Sequence, residues 1–195
     1  IACLRGKLFS IKCRLFRKRV IIGNGLRMHT RLDIRGAGMV LIGRDCVIDG
    51  ACGDSHQFVT LYTLNPHATI TIGNHVRLCA ARISSRFSVN IGNNAIIEES
   101  GIADTDFHTL EKSRELPSDE RIEDCQIMIG DRVLIGPRSI ITKGVSIGSD
   151  VVVGPGAIVI RSLPARAFAL GNPAKIVKII QAVEPGNEKC RSENI

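Results

Sequence analysis

A six-residue period runs without a miss through the C-terminal part of the chain. From Ile129 the sequence reads IGDRVL IGPRSI ITKGVS IGSDVV VGPGAI V, so Ile129, Ile135, Ile141, Ile147, Val153 and Val159 share one register. Gly130, Gly136, Gly148 and Gly154 follow four of them, and Val133, Ser139, Val145, Val151 and Ala157 stand four places after the first five. A helix repeats every ~3.6 residues and a strand every ~2, so neither produces this spacing. A rung does: one short strand and one turn, with one aliphatic side chain pointing inward and a small or β-branched residue at the corner.

Three rungs make a triangular coil of about 18 residues, and stacked coils bury the aliphatic column that one coil would leave open. The same phrase recurs upstream as Ile42-Gly43 with Ile48, Ile72-Gly73 with Leu78, and Ile91-Gly92 with Ile97, and Ile22-Gly23 supplies a first rung. Ile72 to Ile91 is 19 residues, one more than a coil, whereas Ile91 to Ile129 is 38 and requires an extruded loop at about 103–127. Ile42 to Ile72 is 30, which implies an insertion near Gly50 to Pro66. Composition agrees. Isoleucine supplies 27 of the 195 residues and aromatics only 4%, a β-branched stock suited to strands, and 19 Gly with 7 Pro argue against long helices.

A chain that is 44% hydrophobic and 23% charged is neither disordered nor a membrane bundle, and it is long enough for one real core. Its 7 cysteines are an odd number without CxxC spacing, which argues against a disulfide framework or a zinc knuckle. No apolar run approaches the ~20 residues needed to cross a bilayer, and no cleavable signal is visible, so a cytoplasmic location is expected. The net charge of +7 comes without an aromatic platform, which disfavours nucleic acid as a partner.

Four segments follow. Residues 1–19 hold Arg5, Lys7, Lys12, Arg14, Arg17, Lys18 and Arg19 and no acid, among Leu4, Leu8, Phe9, Ile11, Leu15 and Phe16, which reads as a basic amphipathic helix. Two roles stay open for it: peripheral docking on an anionic membrane, or packing over the open end of the solenoid. Residues 20–160 form the solenoid. Residues 161–183 carry a linker and a short helix begun by Pro173 and continued by Ile176, Val177, Ile179 and Ile180, and residues 184–195 form a polar tail.

The hexapeptide pattern resembles that of the bacterial hexapeptide acyltransferases. The resemblance implies an all-β fold, a left-handed parallel β-helix whose hand comes from the likeness, since the general rule favours right-handed crossovers. Two passages narrow it. Leu170-Gly171-Asn172-Pro173-Ala174-Lys175 is similar to the segment that closes the helix in maltose, galactoside and capsular-polysaccharide acetyltransferases. Asp104-Thr105-Asp106-Phe107-His108, in the extruded loop, resembles the Asp-x-Asp-x-His phrase of polysaccharide O-acetyltransferases.

What this implies is an O-acetyltransferase that moves an acetyl group from acetyl-CoA to a hydroxyl of a sugar or surface-polysaccharide precursor, in a homotrimer with ligand grooves between protomers. His108 is then the general base, because imidazole titrates near ~6.5 and accepts the hydroxyl proton at neutral pH. Asp104 and Asp106 can orient the ring, bind acceptor hydroxyls or stand as solvated turn residues; Asp106, two places before His108, is the better placed orienter. By the same resemblance the pantetheine arm runs past Gly136-Pro137 and Gly154-Pro155, with Arg161, Lys175 and Lys178 toward the CoA phosphates or serving as ordinary surface charge. Pro137 and Pro155 depart from the galactoside branch and remove backbone donors. Leu134 stands where many relatives have Trp. No metal is expected: the histidines lie 27, 11, 8 and 33 residues apart, without the close pair of the γ-class carbonic anhydrases that share the fold. The alternatives are an N-acetyltransferase of an amino sugar nucleotide and a non-catalytic β-helix scaffold.

Overall fold

The computed structural model describes residues 1–51, 57–106 and 121–180. Helix α1 (Ala2–Phe16) comes first, followed by coils of three strands each. The first coil is β1 (Val20–Ile22), β2 (Arg27–Met28) and β3 (Leu32–Gly36), and the second is β4 (Met39–Ile42), β5 (Val47–Asp49) and β6 (Val59–Thr63). The third is β7 (Thr69–Ile72), β8 (Arg77–Cys79) and β9 (Arg82–Ser85), and the fourth β10 (Ser88–Ile91), β11 (Ile96–Glu98) and β12 (Gly101–Ala103). After a short helix α2 (Ile122–Cys125), the fifth coil is β13 (Ile127–Ile129), β14 (Leu134–Ile135) and β15 (Ile140–Ile141). The sixth is β16 (Ser146–Ile147), β17 (Val152–Val153) and β18 (Ile158–Val159), before β19 (Ala167–Leu170) and β20 (Lys175–Ile179).

Every third strand pairs in parallel, which gives three faces: β1-β4-β7-β10-β13-β16, β2-β5-β8-β11-β14-β17-β19-β20 and β3-β6-β9-β12-β15-β18. These three parallel faces make the β-helix that the hexad implied, left-handed as the family resemblance led us to expect. One aliphatic column lines each face. Ile42, Ile72, Ile91, Ile129 and Ile147 are in register on the first, Ile48, Leu78, Ile97, Ile135 and Val153 on the second, and Leu61, Ile83, Ile102, Ile141 and Val159 on the third. All are buried. A continuous apolar column is the main source of stability in such a fold, because each coil contacts only its neighbours.

The hexad glycines explain themselves at the corner between the first and second faces. A Cβ on Gly73 would lie 2.5 Å from the Gly92 carbonyl oxygen of the next coil, so this stacking distance excludes any side chain. The residue after each glycine then satisfies amides the strands leave over: Asn74 N–H donates to Asn93 Oδ1 (2.9 Å), and Asn93 N–H to Asp131 Oδ1 (2.6 Å). One residue further, Asp45, His75, Asn94, Arg132 and Asp150 all turn the corner at φ between 54° and 62°. His75 is therefore a corner residue.

Two expectations are corrected. The insertion near Gly50 to Pro66 is shorter than the spacing implied, because Val59–Thr63 within it is a regular rung, β6, paired to β3 and β9. It lacks a glycine flag, so periodicity passes over it. The short C-terminal helix expected from Pro173 onward is strand β20, antiparallel to β19. The β-branched run Ile176, Val177, Ile179 suits extended backbone, and the free edge of β19 offers hydrogen-bond partners that an isolated short helix lacks.

Candidate active site

Buried polar residues gather at the corner between the third and first faces, at Thr63, Ser85, Ser88 and Asp104. Asn65 Nδ2 donates to the Arg86 carbonyl (2.6 Å). Directly above, the Asp104 carboxylate accepts from Ser85 Oγ (2.8 Å), Arg86 N–H (2.6 Å) and Phe87 N–H (2.9 Å), and Asp104 is fully buried. Burying a carboxylate is costly unless its oxygens are met by donors, and here two backbone amides and a hydroxyl meet them. Asp104 thus clamps the β9–β10 turn and does not face solvent.

Asp106, two residues on, faces outward. Its carboxylate pairs with Lys143 Nζ at 2.5 Å, with side-chain exposures of 57% and 31%. Lys143 stands on the same corner one coil later, in Thr142-Lys143-Gly144, where Gly144 N–H donates to the carbonyl of buried Cys125 (2.9 Å). Sequence reading missed Lys143. The available signal was the single rung of the 129–159 run that starts Ile-Thr-Lys where its neighbours start with an aliphatic residue and glycine or, in the last, end the run. His108 lies outside the described residues, as do His56 and Cys52.

A second candidate surface is the corner between the second and third faces. Gly136-Pro137 and Gly154-Pro155 stack there on adjacent coils: Gly156 N–H donates to the Pro137 carbonyl (2.9 Å). The turn of Gly171 to Ala174 closes the column, since Ile158 N–H donates to Gly171 and Ala174 N–H to the Ile158 carbonyl (3.0 and 2.8 Å). Lys175 begins β20 at this corner, opposite Leu170, and Lys178 stands three residues along, opposite Phe168. Arg161 follows β18, at the corner between the third and first faces. The Gly136 and Gly154 amides are already spent on Val153 and Ala169 carbonyls (both 2.8 Å), so neither is free to hold an oxyanion. Leu134 is half-buried on the second face.

Arg132 hydrogen-bonds Asp150 and holds its carboxyl below the ordinary carboxylate range, Arg35 does the same for Asp33, and burial pushes the Cys46 thiol up. Among the described residues no group of three or more His, Cys, Asp or Glu could hold a metal ion.

Residues 126–161 match the family described as bacterial transferase hexapeptide (six repeats). These residues carry the hexapeptide repeat of bacterial transferases. Solved structures have a similar fold over most of the chain. A variant of AntD, an N-acyltransferase from Bacillus cereus in complex with dTDP and coenzyme A, superposes with a TM-score of 0.69 at 18% identity, over 88% of this chain and 90% of that one. The polysialic acid O-acetyltransferase OatWY gives 0.63 at 22% identity over 87% and 79%. A hexapeptide-repeat acetyltransferase from Vibrio cholerae gives 0.53 at 21% over 90% and 81%. At these identities the likeness establishes the fold. Comparison with curated proteins gives no match.

Proposed function

We propose that the chain is an acetyl-CoA-dependent O-acetyltransferase acting on a hydroxyl of a sugar or surface-polysaccharide precursor in the cytoplasm. The observation that carries this reading is the buried Asp104 clamp, which roots the Asp104-x-Asp106-x-His108 phrase on the hexapeptide solenoid and aims the next carboxylate outward. Solved enzymes with this solenoid bind coenzyme A or act on polysialic acid, which supports the donor and the carbohydrate class.

In this reading His108 removes the acceptor proton as the hydroxyl oxygen attacks the thioester carbonyl. The carbon–sulfur bond then breaks and the imidazolium returns the proton to the departing CoA sulfur. Asp106 orients the ring. Its carboxylate has about four acceptor sites, enough for Lys143 and an imidazole N–H together. The pantetheine arm runs along the Gly136-Pro137 and Gly154-Pro155 column, with Lys175, Lys178 and Arg161 drawing in the CoA phosphates. Three chains pack in parallel, so that each site is completed by a neighbour's loop.

The test is a panel of sugars, sugar nucleotides and oligosaccharides with acetyl-CoA, scored by free thiol. Thiol release with hydroxyl acceptors supports the reading. Release only with amino sugar nucleotides favours the N-acyl alternative, which the 0.69 superposition on AntD recommends. No release with any acceptor, with acetyl-CoA unbound by calorimetry, sinks both in favour of a scaffold. Light scattering that gives a monomer mass would remove the shared site.

A further inference from the structure

Helix α1 has two apolar faces. Gly6 and Cys13 are buried, and a Cβ on Gly6 would sit 1.9 Å from the Leu26 carbonyl oxygen, so this side lies as close to the first coil as a helix can. The covered solenoid end accounts for that face. On the other side, Leu4, Leu8, Ile11 and Leu15 follow one another at intervals of three and four residues and are 62%, 59%, 46% and 68% exposed. At ~100° per residue this stripe points roughly 180° away from Gly6 and Cys13. Lys7 and Arg14 border it on one edge, Arg5 and Lys12 on the other, all exposed.

We infer that this stripe is a docking surface for an anionic lipid membrane, and that the helix lies in the interface with its packed side still on the solenoid. The charge pattern selects this occupant. Residues 1–19 hold seven cations and no acid, so the leucines enter the acyl boundary while the bordering Lys and Arg meet phosphate headgroups. Between α1 and the first coil lies a cleft of about 1060 Å³, open to Lys7, Arg14, Arg17 and Lys18 and to apolar Ile11 and Ile21, the mixture a phospholipid headgroup and its glycerol region present. A second copy of this helix suits the stripe poorly: side by side, both borders would set cation against cation. The inference does not rest on the acetyl-transfer reading, and if three chains pack in parallel, three stripes face the same way and binding gains by avidity.

The experiment is co-sedimentation of the full chain with mixed phosphatidylglycerol–phosphatidylcholine vesicles and with pure phosphatidylcholine vesicles. Two variants go alongside: Leu8→Ser with Leu15→Ser, and Lys7→Gln, Lys12→Gln and Arg14→Gln together. All are exposed positions, so circular dichroism and mass should match the parent. The parent should bind the anionic vesicles, weakly at high salt, and barely bind the neutral ones. Each cation removed should cost about fivefold in partitioning and each leucine about tenfold. Failure to bind anionic vesicles at low salt, equal binding to neutral vesicles, or variants that partition like the parent would each overturn the inference. So would a lower oligomeric mass for the serine variant, which would assign the stripe to another copy of the chain.

Discussion

Replacing Asp104 with Asn tests whether this carboxylate is a structural clamp. Its Oδ2 takes Ser85 Oγ and Phe87 N–H, and its Oδ1 takes Arg86 N–H at 2.6 Å. An amide has one acceptor oxygen. If that oxygen keeps Ser85 and Phe87, the new NH2 faces the Arg86 N–H donor to donor; if it flips, the clash moves to Phe87. Either way at least one charge-assisted bond is lost, worth about 1.5–3 kcal/mol, and a partly buried backbone donor is left unmet at about 1–3 kcal/mol. We expect a local loss of about 2–4 kcal/mol. Hydrogen exchange is the suitable assay, since a solenoid need not unfold in one step. Exchange at the Arg86 and Phe87 amides should accelerate by about 30-fold to 1,000-fold, with the β13–β18 coils nearly unchanged. Exchange and melting indistinguishable from the parent, with acetyl transfer abolished, would refute the clamp and return Asp104 to the chemistry.

His108→Ala should lower kcat by on the order of 10²–10⁴ and leave CoA affinity alone, and kcat/KM of the parent should fall as pH drops through the histidine range; near-parent turnover of the variant would remove His108 as base. Gly92→Ala places a Cβ 2.5 Å from Asp131 Oδ1 and 2.7 Å from the Gly130 carbonyl carbon, so it should destabilise by about 1–3 kcal/mol or more in denaturant melts, and an unchanged midpoint would contradict the stacking distance. Asp150 should titrate below an ordinary carboxyl by NMR. Because its folded pKa is depressed, what the Arg132 pair contributes is present above the unfolded value and fades as pH falls through the lower folded one; Arg132→Gln should bring the titration back up, and no movement would deny the pair its role.

The hexad from Ile129 to Val159 was enough to read the inward columns and the three-faced solenoid, because a side chain every sixth residue admits one regular backbone. The spacing from Ile91 to Ile129 called for extra residues between two stacked rungs, and β10 and β13 do pair as neighbours across it. What failed in the sequence were the segments whose conformation depends on a partner. Val59–Thr63 became a rung because β3 offered an edge, and Lys175–Ile179 became a strand because β19 did. Neither edge is visible in the local pattern, although the β-branched composition of both runs leaned toward strand.

The site divides in the same way. The phrase from Asp104 to His108 is legible as chemistry, but two aspartates one residue apart look alike on paper. Only the fold makes them different. It buries Asp104 against the Ser85-Arg86-Phe87 turn, 17 to 19 residues earlier, and turns Asp106 toward Lys143, 37 residues later. Helix α1 shows the limit most plainly. Composition marked it as basic and amphipathic, yet its two apolar faces nearly oppose each other, and which one is spent was settled by the close fit of Gly6 on Leu26. Repeats fix a backbone through local sterics and periodic burial, which a sequence carries in its spacing. Which polar group is buried, and which apolar face stays open, depends on neighbours one coil away, which only the tertiary structure brings together.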